Sequence, residues 1–129
     1  MPSMDKLLSP YRPHIYALLR IVAGLLFAQH GAQKLFGALG GRPVELMSQM
    51  GLAGVVEFVG GLMIALGLFT SPVALLASGQ MAVAYFQAHV PRGFWPIANG
   101  GEAAVLFCFV FLYFAAAGSG KLSIDAIRK

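Results

Sequence analysis

The sequence predicts an all-α fold, a four-helix transmembrane bundle, and three observations carry that prediction. The first is composition. Of 129 residues, 58% are hydrophobic and 11% charged, with a mean hydropathy of +0.75, whereas a soluble domain carries about 25% charged residues. The second is the stretch between Glu57 and Arg92, FVGGLMIALGLFTSPVALLASGQMAVAYFQAHVP, 34 residues without one Asp, Glu, Lys or Arg. As a single helix at ~1.5 Å per residue it would measure ~50 Å. The hydrocarbon core of a bilayer is only ~30 Å thick, so the run has to fold back. The third is punctuation: Thr70-Ser71-Pro72 interrupts that run, and Gly/Pro clusters at Gly37–Pro43, Pro91–Pro96 and Gly118–Gly120 separate the remaining apolar segments.

Taken in order, residues Met1 to Pro13 are polar and contain three prolines, which predicts a cytoplasmic lead-in partly lying on the membrane. Lys6 and Arg12 precede an apolar segment as they would in a secretory signal. Arg20 interrupts that segment and further spans follow, so it reads as a retained first helix. The first span covers about 14–36. The loop after it holds Arg42 and Glu45, and VELMSQM within it predicts a short interfacial helix. The second span covers about 52–69. Pro72, tolerated in a first helical turn, opens the third at about 72–90. Phe94 and Trp95 read as an aromatic interface anchor. Asn99 with Glu102 three residues on resembles a capping box, opening the fourth span at about 101–117. The whole chain forms a single domain.

Charge sets orientation and excludes one class of partner. The net charge of +4 comes from residues sitting singly at span ends, which is a topology signal and not a nucleic-acid surface. Lys6, Arg12, Lys121, Arg128 and Lys129 flank one side, and Lys34, Arg42 and Arg92 the other. Both termini are therefore expected in the cytoplasm. The one cysteine, Cys108, lies in an apolar run and reads as a small hydrophobe; a chain with one cysteine has no intrachain disulfide and no C-x-x-C.

Ionisable side chains inside spans are costly and face the bundle interior. Arg20, Phe27, His30 and Lys34 share one side of the first span. Glu57 lines up with Gly60, Gly61 and Ile64 on the second. Tyr85 and His89 share a stripe on the third, and Glu102 begins the fourth. This predicts a polar pocket in the outer half, with Glu57 and His30 handling protons and Arg20, Lys34, Tyr85, His89, Asn99 and Glu102 binding substrate. Arg20 and Glu57, the two deepest opposite charges, are expected to bridge directly or through water. A plainer reading leaves Lys34 and His89 as interfacial residues, Glu102 as a helix cap and Arg20–Glu57 as a structural ion pair. No E-x-x-H or H-x-x-x-H spacing occurs on any one helix, so no metal site is predicted. His30-x3-Lys34 and His89-x2-Arg92 form a faint echo of a two-helix repeat.

With these residues in view the chain resembles the DoxX family. The matching stretches are Arg20, HGAQKLFG at His30–Gly37, E-x-x-G-G-x-x-x-x-L-G at Glu57–Gly67, GFWPIANGGEAA at Gly93–Ala104 and GSGKLSID at Gly118–Asp125. They cover nearly everything after residue 14. The resemblance implies a four-helix bundle in the bacterial plasma (inner) membrane and an oxidoreductase-associated role, with a quinone or small reductant as ligand and a soluble or membrane redox partner. By position it carries over Arg20, His30, Lys34, Glu57, Asn99 and Glu102. It specifies no cofactor. The alternative is a non-enzymatic protein, a small-solute transporter or an assembly scaffold.

Overall fold

The computed structural model describes residues 3–128; Met1, Pro2 and Lys129 lie outside them. Among the described residues there is no strand, and the chain is all-α. Helix α1 runs over Met4–Phe36, with a 3-10 turn at Ser9–Tyr11. The lead-in is thus helical from Met4 onward. Pro10 and Pro13 fall at the first positions of successive turns, where a missing N–H has no helical partner to lose. Gly37, at φ 68°, ends α1, and Ala38 N–H reaches back to the Ala32 carbonyl at 3.4 Å in a Schellman-type stop.

Helix α2 covers Gln49–Leu66 and begins three residues ahead of the expected Leu52. The cause is local: the Ser48 hydroxyl accepts the Gly51 N–H at 3.0 Å, which caps the helix. Leu46–Ser48, expected inside a short interfacial helix, form a turn. Residues Val56–Gly60 of α2 make a π-helical turn. The fold-back lies at Gly67–Phe69, just ahead of the predicted break; Thr70–Pro72 form the first turn of α3 (Thr70–Ala84). Gly67 at φ 71° stops the helix outright, whereas Pro72 removes only an N–H that a first turn leaves unpaired anyway. From α3 the chain continues through a second π turn, Tyr85–His89, and a 3-10 turn, Val90–Arg92. Then follow α4 (Pro96–Asn99), α5 (Glu102–Ala117) and α6 (Ile124–Arg128). The expected capping box is not formed. Gly101 is the N-cap of α5, and the Asn99 side-chain oxygen accepts the Gly101 N–H at 2.8 Å.

Antiparallel α1 and α2 touch backbone to backbone. A Cβ on Gly24 would lie 2.6 Å from both Ala65 N and Gly61 O, and one on Gly31 would lie 2.3 Å from Phe58 N. Such contact is how helices associate where no hydrophobic drive exists between them. Helix α3 packs on α5, with the Ser78 hydroxyl donating to the Cys108 carbonyl at 2.7 Å. The two helix pairs meet across aromatic rings, Phe27 against Phe111 at 4.8 Å and Tyr16 against Phe114 at 5.5 Å. The outer faces expose Leu18, Leu25, Leu75, Leu76, Leu106 and Phe109. By length and composition α1 and α2 are each able to cross a membrane, and α5 is a shorter apolar helix.

Candidate functional site

The polar side chains of the interior form three separate clusters. The first is centred on Glu57, 2% exposed and held in the π turn of α2. Lys34 Nζ from α1 lies 2.6 Å from both carboxylate oxygens. Gln80 from α3 donates its amide to Oε2 at 2.9 Å, and the same amide lies 3.4 Å from the Ala53 carbonyl. Three helices thus converge on one carboxylate. Lys34 retains 24% exposure against 2% for Glu57, so the cluster opens on the Lys34 side. A buried carboxylate left without its partner is destabilising by about 3–5 kcal/mol. π turns recur at functional sites because they aim a side chain that a regular helix would place elsewhere.

The second cluster belongs to Arg20, which is fully buried. A guanidinium has five N–H donors, and here each reaches a carbonyl. Nε donates to Ile64 at 3.0 Å. One terminal nitrogen donates to Ser119 and, at 2.9 Å, to Lys121. The other donates to Ala65 at 3.3 Å and Leu122 at 2.6 Å. The expected Arg20–Glu57 bridge is therefore corrected. Arg20 has no donor left for it, and Glu57 is paired with Lys34. Arg20 ties the carbonyl end of α2, where a cation is favoured, to the segment that follows α5.

The third cluster shapes the loop from Gly93 to Gly101. Asn99 Nδ2 donates to the Tyr85 hydroxyl at 3.1 Å and to the Gly93 carbonyl at 2.8 Å. The Tyr85 hydroxyl donates to the Phe94 carbonyl, and His89 Nδ1 lies 3.2 Å from the Asn99 carbonyl. Tyr85, His89 and Asn99 are thus occupied in holding this loop. His30 and Glu102 are exposed. His30 sits edge-on to Phe107 at 6.1 Å, and Glu102 lies in the first turn of α5. The single pocket predicted around Glu57, His30 and Glu102 is divided: of the named residues only Lys34 joins Glu57.

Gln80, Ser119 and Asp125 were missed by sequence reasoning. Gln80 was available as an amide in the middle of a charge-free run. The Lys34–Glu57 pairing was not legible: aligning Gly24-x6-Gly31 antiparallel with Gly54-x6-Gly61 sets Lys34 level with Gly51, six residues from Glu57. Among the described residues no three His, Cys, Asp or Glu side chains gather as a metal site.

A chain whose described residues are all-α, with apolar outer faces, two membrane-length helices and buried charges that are each hydrogen-bonded, is a membrane-associated helical protein. It belongs to the DoxX family, whose model matches residues 15–90. The chain is 42% identical over 125 residues to a protein described as an "Uncharacterized protein" from Haemophilus influenzae (strain ATCC 51907 / DSM 11121 / KW20 / Rd), covering 92% of this chain and 93% of that one. No solved structure matches.

Proposed function

We propose that the chain is a four-helix transmembrane bundle of the bacterial plasma membrane with both termini cytoplasmic. In this reading it acts as a redox-associated subunit whose Lys34–Glu57–Gln80 centre meets a quinone headgroup or a small reductant. The observation that carries the reading is Glu57 itself, a buried carboxylate in a π turn whose one open side is a cation. Reducing a quinone delivers electrons and protons to the same oxygens. The Lys34 ammonium binds a quinone oxygen and stabilises the charge that develops there. The Glu57 carboxylate holds that ammonium charged and in place, the ammonium passes one proton to a reduced oxygen, and His30, one turn from Lys34 on α1 and exposed, supplies the second from the outer side. Electrons come from a redox partner.

The scaffold reading keeps one observation in its favour: among the described residues every buried side-chain nitrogen and oxygen already has a partner. Glu57→Gln separates the two. It keeps the shape and removes the charge that holds Lys34 in place, so the variant is expected to insert and fold while losing the Lys34–quinone contact and with it quinone binding at least about tenfold, the weight of one charge-assisted hydrogen bond of roughly 1.5 kcal/mol. Binding is read from co-extracted quinone and from quenching of Trp95 by an added quinone analogue. Equal binding by both proteins, or solute flux in liposomes without redox change, overturns the redox reading.

A further inference from the structure

A second feature lies at the other end of the bundle from Lys34. Ile21 and Leu25 of α1, Leu66 at the end of α2, and Leu122, Ile124 and Ile127 around α6 line an apolar cavity of about 450 Å³. Leu25, Leu66, Leu122 and Ile127 are exposed, Ile127 to 82%, so the cavity opens along the outer face of the bundle. It is preformed. The Arg20 hydrogen bonds to the Ser119, Lys121 and Leu122 carbonyls fix its α6 side. The Ser123 hydroxyl caps α6 through the Ala126 N–H at 3.1 Å. Charge at this end is one-sided. The segment that lines the cavity carries the exposed cations Lys121 and Arg128; Arg128 pairs with Asp125 at 3.2 Å, which leaves Lys121 without an acidic partner among the described residues. Lys121 directly precedes the lining residue Leu122 and keeps its side chain outside.

We propose that this cavity seats one acyl chain of an anionic phospholipid from the cytoplasmic leaflet, with the headgroup held by Lys121. The inference rests on the membrane reading above. The apolar lining selects a hydrocarbon chain, the opening along the outer face lets it enter sideways from the bilayer, and the exposed Lys121 beside the lining Leu122 selects an anionic headgroup over a zwitterionic one.

The test is native mass spectrometry of the full chain released from nanodiscs of equal phosphatidylglycerol and phosphatidylethanolamine with matched chains. The expected result is a retained phosphatidylglycerol adduct. Lys121→Gln, whose backbone carbonyl still serves Arg20, should lower phosphatidylglycerol retention about fivefold, the effect of one cation near an anionic surface, and leave phosphatidylethanolamine unchanged. Ile127→Gln, at an exposed position, should lower retention of both. Equal retention of the two lipids that neither variant alters overturns the proposal. So does a lipid-independent dimer that Ile127→Gln dissolves, since a second copy would then fill the cavity. Failure of the protein to enter the nanodisc is a different outcome and overturns the membrane reading itself, and with it this proposal.

Discussion

Arg20 shows how one side chain can join distant segments. Its five donors meet carbonyls from the end of α2 and from residues 119–122. Lysine offers three donors from a single atom. Arg20→Lys therefore strands at least two buried carbonyls, and with charged hydrogen bonds worth about 1.5–3 kcal/mol each it should cost about 3 kcal/mol or more. Thermal unfolding in detergent measures that loss, and faster amide exchange across residues 118–128 locates it. A variant as stable as the parent would show that the tail is held by something else. Glu57 works differently. Its partners are side chains, one of them partly open to the outside, which is the arrangement of a group able to exchange its partner for a ligand.

At the scale of elements, the tail helix α6 is attached through its acid. Asp125 N–H donates to the Gly67 carbonyl at 3.0 Å. The Ser119 hydroxyl donates to the Asp125 carboxylate at 2.5 Å. That hydroxyl is the main reason the carboxyl is held below the ordinary aspartate value of 3.8, and the Phe69 and Thr70 N–H groups at the start of α3 and the Arg128 charge add to it. A carboxyl whose pKa is lower in the folded state contributes stability above its unfolded pKa and loses it as pH falls through the folded one. The attachment should therefore hold at pH 6 and loosen below about pH 3.8. Limited proteolysis of the C-terminal segment at pH 6 and pH 3 checks this, with Asp125→Asn expected to abolish the difference. Identical cleavage of the parent at both pH values would exclude Asp125 as the latch.

For the whole molecule the decisive property is which side each end occupies. Five flanking cations accompany the termini, against three at the opposite end, and this bias orients helical membrane proteins. A reporter fused after residue 129 should be active only in the cytoplasm. Activity on the outer side would invert the topology and move the Lys34–Glu57 cluster toward the cytoplasm.

Much of this molecule was legible in its residues. The all-α class follows from the hydropathy runs, and the family from ordered motifs. The ends of α1 and α5 follow from Gly37 and Gly118, and the fold-back was placed within a few residues. These are local properties, because helix length, breaker residues and apolar runs depend on neighbours along the chain. The partners of the buried charges are not local. Arg20 and Lys34 stand 14 residues apart on α1, about 21 Å along the axis, so a shift between helices decides which of them meets Glu57. That shift is set by backbone contact of Gly24 and Gly31 with α2, and it gives the carboxylate to Lys34. The tail carbonyls that claim Arg20 lie about a hundred residues away in sequence. Hydropathy and helix punctuation are written along the chain, whereas the pairing of charges depends on how helices slide against one another, and only the packed molecule decides that.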